Sequence, residues 1–441
     1  MSEPLILLAP APAAGARRGW RIAAVVAFVL ELLFFSNWQG SLGPYWSPLA
    51  FLAAGLGLGV AALGALRDQP FGQATDGQVA RRVGWGGAAW LAGGLLVLGQ
   101  QIPIILRSPI NVHWSDVIPI VQTYVDRFRS GEVVYRYLTN LPYPLFPNHL
   151  PLQWLPYVPA QALGIDFRWL SLGLLLVLGF GAYQLVLLRQ PGSWLSFGLR
   201  ALLPAVVLWQ VVHRDENLFS QVLEQTIITY YFLLAASVLT GSAWAQGGAL
   251  VLCLLSRYSV VFWVPLFLWM LWREAGRRHA LLVAGIVLAG IAGIYIIPFF
   301  VENPTIFTHA LAEYRIATLG EWSRVSETSH LPTHVGNGLS AMPWFYTYLP
   351  LPLEAKLTWV QRAHALAAAG TAALLAGFYW RYGRRYDYRY LALVALKLYL
   401  AVFYFFIQIP YIYLISVSVL LSVFVVLVVA SPPATAPAAR T

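Results

Sequence analysis

The chain holds one cysteine, two lysines and few charged side chains of any kind. A lone Cys253 excludes an internal disulfide, and its place in an apolar run reads as a small core residue rather than a reactive thiol. Only 10% of residues are charged against 59% apolar, with a mean hydropathy of +0.66. Such a composition cannot wrap a water-soluble surface. No period of twenty to fifty residues repeats and no inverted pair of halves is visible, which weakens a secondary transporter.

What is abundant is apolar sequence in long runs. They lie near 20–35, 46–66, 83–106, 169–188, 199–212, 222–239, 245–255, 260–272, 281–300, 356–380, 390–409 and 411–430. A spanning helix needs about 20 residues, so the expectation is an all-α polytopic membrane protein with about twelve transmembrane helices. Segment 16–43 begins like a secretory signal, with Arg17 and Arg18 before an apolar stretch. It also carries Glu31 and many runs follow, so it reads as an uncleaved first helix.

The arginines set an expected orientation. With the N-terminus cytoplasmic, the inner segments collect Arg17, Arg67, Arg82, Arg189, Arg200, Arg277, Arg385 and others. Against these stand only Glu3, Asp68, Asp76, Glu274 and Asp387. The net charge of +10 is then a topology signal and needs no nucleic acid. Both termini fall inside, with residues 1–16 and 431–441, rich in Ala and Pro, read as disordered tails around a single domain, 17–430. Two long loops, 107–167 and 301–354, face the same outer compartment and are too long to be mere connectors. The excess of arginine over lysine, with abundant Ala, Gly and Leu, suggests a high-GC bacterial genome. That would make the membrane the bacterial cytoplasmic one.

The first loop has structure of its own. Val117, Ile118, Ile120, Val121, Tyr124, Val125 and Phe128 recur at helical spacing, with Gln122, Asp126, Arg127 and Arg129 opposite, which predicts an amphipathic interfacial helix ended by Gly131. Pro142, Pro144, Pro147 and Pro151 then forbid a regular helix and predict a stiff extended strap carrying Tyr143, Asn148 and His149.

These residues resemble a family. Ser115-Asp116, a helix, Gly131-Glu132-Val133-Val134-Tyr135, then Tyr143-Pro144 and Pro147 look like the first outer loop of the C-type (GT-C fold) integral-membrane glycosyltransferases. The likeness is to the polyprenyl-phosphate-mannose-using branch, family 87. Asp215-Glu216-Asn217-Leu218-Phe219 stands where that family often shows Gly-Gln-x-Asn. Ala245-Gln246-Gly247-Gly248 through Ser256-Arg257-Tyr258 to Pro265 is similar to a small-residue helix followed by a basic residue at a break. Gly336-Asn337-Gly338-Leu339-Ser340 is similar to a Gly-Asn-x-Ser element. The departures are two extra helices before the first loop, Arg257 where Lys is commoner, and Asp215-Glu216 in place of Gly-Gln.

The resemblance implies a transferase moving a sugar, mannose or another hexose or pentose, from a polyprenyl-phosphate carrier to a lipid-linked or cell-envelope acceptor. Loop 107–167 would be catalytic and loop 301–354 substrate-binding. Asp116 is the candidate general base, its alternative role being the N-cap of the amphipathic helix. Arg257 is the candidate for the leaving phosphate, its alternative a snorkelling surface arginine. Arg214 and Arg324 are further phosphate candidates. Tyr143, Asn148, His149, Glu216, Asn217, Trp322, His334 and Asn337 are candidates for sugar and acceptor contacts. The cluster from His213 to Glu216 reads equally as a solvated turn. His149, His330 and His334 lack metal-ligand spacing on one helix, Pro332 dividing the last two, so no metal and no cofactor are expected. Glu31 and Lys397, each inside an apolar run, either pair with one another or face other partners in a cavity. A flippase of lipid-linked sugars and a non-catalytic membrane scaffold remain the alternatives in function.

Overall fold

The computed structural model describes residues 14–37, 42–72, 74, 76–139, 141, 143 and 145–431. Most of both expected tails, 1–13 and 432–441, lies outside the described residues, as do Pro142 and Pro144 of the strap. The described chain is all helical, with no strand beyond two isolated bridges. Its main helices are α1 (Ala14–Ser36), α2 (Gly43–Leu66), α3 (Asp76–Arg107), α4 (Val117–Arg129), α5 (Phe167–Leu188) and α6 (Trp194–Arg214). There follow α7 (Glu224–Thr240), α8 (Ala243–Leu254), α9 (Trp263–Glu274), α10 (Arg277–Phe300) and α11 (Ile306–Ser323). The last three are α12 (Leu353–Tyr382), α13 (Tyr388–Phe405) and α14 (Ile412–Ala430).

All twelve apolar runs are helical, but among the described residues nine helices are long and apolar enough to cross a membrane. The other three are α7, α8 and α9, of 17, 12 and 12 residues. The boundaries have local causes. Asp166, Ser193, Ser242 and Asp387 each accept a hydrogen bond from the first turn of the helix they precede. Gly241, at φ 75°, closes α7 in the left-handed conformation that favours glycine, and Ser242 opens α8 at once.

Helices α13 and α14 are mostly buried, α7 almost wholly so, whereas α1, α3, α10 and α12 turn most of their surface outward. That makes a central trio within an apolar perimeter. Small residues let the helices approach: a side chain on Gly59 of α2 would overlap Leu398 of α13. Inside this packing Lys397 of α13 donates to Glu31 of α1, to the Ser418 carbonyl (2.9 Å) and to Ser418 Oγ (3.0 Å) on α14. Ser422 Oγ donates to the other Glu31 oxygen at 2.8 Å. The two charges left open by the sequence are therefore partners.

One end of the bundle gathers arginine. Arg82 donates to the Gln190 carbonyl, Arg200 to Ser431 Oγ, and the Asp68 amide to the Arg385 carbonyl. Exposed Trp85, Trp194, Trp244, Trp272 and Trp380 surround this end, as an interfacial aromatic belt would. The two long connections meet at the other end. Tyr137 of the first donates to Glu313 (2.6 Å) and hydrogen-bonds His309 Nε2 (3.1 Å) in α11 of the second, while Phe146 stacks on His309.

Helices α8 and α9 form a hairpin with both feet at the arginine end. Gln246 near the start of α8 contacts His279 at the start of α10, and Glu274 at the end of α9 accepts from Tyr379 near the end of α12. Twelve residues rise only about 18 Å, against roughly 30 Å of hydrocarbon, so the hairpin tip at 255–262 stops inside the bundle. The first loop fills the space above: the Leu152 amide donates to the Leu255 carbonyl (2.9 Å), and Tyr230 of α7 donates to the Leu152 carbonyl (3.0 Å). The first loop thus packs directly onto the tip of the short hairpin.

Candidate functional site

The amphipathic helix forms as its periodicity dictates, α4 burying Ile118, Ile120, Val121, Tyr124 and Val125. Asp116 stands at its N-cap position, yet its carboxylate makes no capping bond; Ser115 Oγ takes the Val117 amide instead, at 3.4 Å. The half-buried Asp116 side chain accepts from the Tyr143 hydroxyl. The capping role weighed for Asp116 is thereby absent, and the carboxylate is turned toward the strap.

Arg127 fixes that strap. Its guanidinium donates to the carbonyls of Val134 (3.2 Å), Arg136 (2.6 Å) and Tyr137 (2.8 Å), and the Leu138–Leu145 bridge turns the chain back toward His149. Two of these bonds are exposed and one is part-buried, so each contributes about 0.5–1.5 kcal/mol. Replacing Arg127 with alanine is expected to speed hydrogen exchange of the Leu138 amide by about tenfold or more, roughly 1.4 kcal/mol of local stability. Unchanged exchange would mean the strap is held from elsewhere.

Tyr143 connects the two loops electrically. Burial, the hydrogen bond to Asp116 and the charges of Asp116 and Glu321 push its phenol well above the usual range, against the pull of Arg324. Glu321 of α11 pairs with Arg324 at 3.2 Å and lies 3.5 Å from His334 Nε2, whose ring meets Tyr411 edge-on. Burial lowers the His334 pKa, Glu321 opposing and Arg324 adding to the effect. Asp116, Tyr143, Arg324 and His334 are therefore brought into one neighbourhood at the meeting of the loops.

His149 stands between this group and the hairpin tip. Its Nδ1 meets the Tyr124 hydroxyl at 3.3 Å and its carbonyl accepts from Tyr135 at 3.1 Å. Burial pushes its imidazole down to about 4; Asp116 pulls it up and Arg257 presses it down further, so it feels both charges. A histidine depressed in the fold resists a proton that the unfolded chain accepts. Its contribution to stability is present above about 6.5 and is lost as pH falls from there toward about 4. An imidazole NMR titration of the His149 ring is expected to show no protonation above pH 5; a midpoint near 6.5 would place the ring in open water instead.

Below lies Arg257, extended in backbone at the hairpin tip. It is neither free nor snorkelling. Its two terminal nitrogens donate to the two carboxylate oxygens of Glu224, at 2.6 and 2.5 Å, with Glu224 only 2% exposed and the Arg257 side chain 14%. Tyr314 of α11 also feels Arg257: burial raises its phenol to about 12, against the arginine charge. An ion pair thus closes the hairpin tip beneath the first loop.

Other expected contacts fall elsewhere. Trp322, expected to contact sugar or acceptor, is instead 1% exposed, packs in a small core with Val335, Met342 and Val360, and donates Nε1 to the Gln408 carbonyl at 3.0 Å. Its faces are covered by side chains, and it serves as a wall that holds α11. Glu216 pairs with Arg107 at the exposed end of α3, Arg214 is exposed, and His213 stacks on Trp209. This cluster has the character of a solvated turn. Asn217 opens a short helical turn, Asn217–Ser220, its side chain outside the described residues. Asn337 is exposed and Asn148 half-buried.

Sequence reasoning did not single out the partnership of Glu224 with Arg257. The signal it offered was a carboxylate at the head of an apolar run, which calls for a buried cation. No group of histidine, cysteine, aspartate and glutamate with the makings of a metal site is found among the described residues. No protein-family model and no curated protein sequence matches the chain.

Proposed function

We propose that the protein is a membrane glycosyltransferase, of the GT-C kind its sequence resembles, transferring mannose or another hexose or pentose from a polyprenyl-phosphate carrier to a lipid-linked or cell-envelope acceptor. The observation that carries this reading is Asp116: a half-exposed carboxylate that does not cap its own helix and accepts from Tyr143, on the loop that packs onto the Arg257 hairpin tip. An acceptor hydroxyl attacks the anomeric carbon as the bond from that carbon to the phosphate oxygen breaks. Its proton passes to Asp116, and the electron pair leaves with the lipid phosphate. One displacement inverts the anomeric centre. Arg324 and, once released from Glu224, Arg257 are the positive groups proposed for the departing phosphate.

In this reading the arginine-rich end lies in the cytoplasm with both termini, and the loops face the periplasm or cell wall of a bacterial inner membrane. A flippase would need a charged path across the bilayer. The deep charges found here, Glu31 with Lys397 and Glu224 with Arg257, are instead closed into two separate pairs, which favours the enzyme. The test is transfer by the purified protein in vesicles containing a polyprenyl-phosphate sugar. Product from the parent protein and about 10³-fold slower transfer by a folded Asp116→Asn protein is expected; equal transfer by both would remove the mechanism.

A further inference from the structure

A phosphate subsite whose arginine already grips a carboxylate poses a physical problem. A guanidinium binds a phosphate or a carboxylate through the same two parallel donors. At Arg257 both terminal nitrogens are taken by Glu224, which is 2% exposed and has no water to retreat into. The Arg257 side chain nonetheless keeps 14% of its surface exposed. The pair joins the head of α7 to the tip of the α8–α9 hairpin, beneath the first loop, whose Leu152 amide bonds the Leu255 carbonyl, and beside Tyr314 of α11. A buried pair with a purely structural duty would be expected in the bundle centre, as Glu31 and Lys397 are, ringed by serine hydrogen bonds.

We infer that Glu224 is a resident competitor at the phosphate subsite, holding Arg257 in place of ligand and yielding it when the phosphate of an isoprenyl lipid arrives. The inference rests on the glycosyltransferase reading for the nature of the ligand. Its consequence is that the empty site carries no net charge, so the arginine can stand deep in the bundle without an unpaired charge in low dielectric. Once the lipid phosphate has lost its sugar, the carboxylate is at hand to reclaim the arginine and expel the carrier.

The test is binding of farnesyl monophosphate, which carries no sugar, to the full-length protein in detergent. Glu224→Gln keeps shape and removes the competing charge; it should bind the probe at least about tenfold more tightly than the parent protein. Arg257→Gln should bind it at least about tenfold more weakly. If Glu224→Gln proves unstable alone, the probe should raise its melting temperature more than it raises that of the parent, because the phosphate supplies the missing anion. Glu224→Asp, which shortens the arm, should fall between the two.

Affinity in Glu224→Gln equal to or below the parent's, or an equal melting shift, overturns the inference and leaves Glu224 a structural partner. An equal shift from inorganic phosphate overturns the lipid as the source of the anion. Because the probe has no sugar to transfer, these outcomes are separate from loss of transfer in Asp116→Asn, which tests the enzymatic reading itself.

Discussion

Asparagine at position 116 is expected to lower sugar transfer by about 10³-fold while leaving the fold unchanged. General-base catalysis by a positioned side chain contributes typically 10²–10⁴-fold, and an amide cannot take the proton. The fold should tolerate the change because Asp116 makes no capping bond to α4, whose first intrahelical acceptor is its backbone carbonyl, bonded to the Ile120 amide at 2.8 Å. Thermal unfolding of the variant should therefore match the parent within about 0.5 kcal/mol, as for a surface substitution. If the variant melts much earlier, the carboxylate is structural after all. If it is stable and turns over at the parent rate, the proton goes elsewhere. Tyr143→Phe supplies the companion result: the ring stays, the hydrogen bond to Asp116 goes, and transfer should fall by less than in the asparagine variant.

The second large effect concerns stability and the buried pair of Glu31 and Lys397. Glu31→Gln and Lys397→Met should each destabilise the protein by about 3–5 kcal/mol, since each leaves a charge buried without its partner. The double variant should cost less than the sum, by a coupling of roughly 0.5–3 kcal/mol. The geometry is specific: both side chains are essentially unexposed, and Ser418 and Ser422 complete the ring across α1, α13 and α14. Unfolding titrations of the four proteins give the cycle. Additive losses would mean that the two residues act independently, each through its serine contacts.

Those helices were largely legible in the sequence, because an apolar run of membrane length has few other stable forms, and all twelve runs are helical. The number that cross was not. Runs 245–255 and 260–272 differ from spans only in length, and nothing local says that their helices share one end of the bundle and turn back at Arg257. Contacts such as Gln246 with His279 and Glu274 with Tyr379 decide it.

At the site, the periodic face of α4 and the prolines of the strap carried their own message. The release of Asp116 from capping did not, because Ser115 and Asp116 are both good cap residues and the choice depends on where Tyr143 arrives from across the loop. The partner of Arg257 lies 33 positions away in sequence and is joined to it only by tertiary packing. Trp322 was misread for a general reason. A tryptophan flanked by charge suits a sugar platform and a core wall equally, and burial alone separates them.

Catalysis by Asp116 requires a sugar held against it, and a structure with a polyprenyl-phosphate sugar bound measures that directly. The anomeric carbon should lie within a few ångströms of the Asp116 carboxylate, with room between them for an acceptor hydroxyl and the phosphate directed down toward Arg257. A sugar bound elsewhere, with Asp116 still closed on Tyr143 and no path from it to the lipid, would contradict the account.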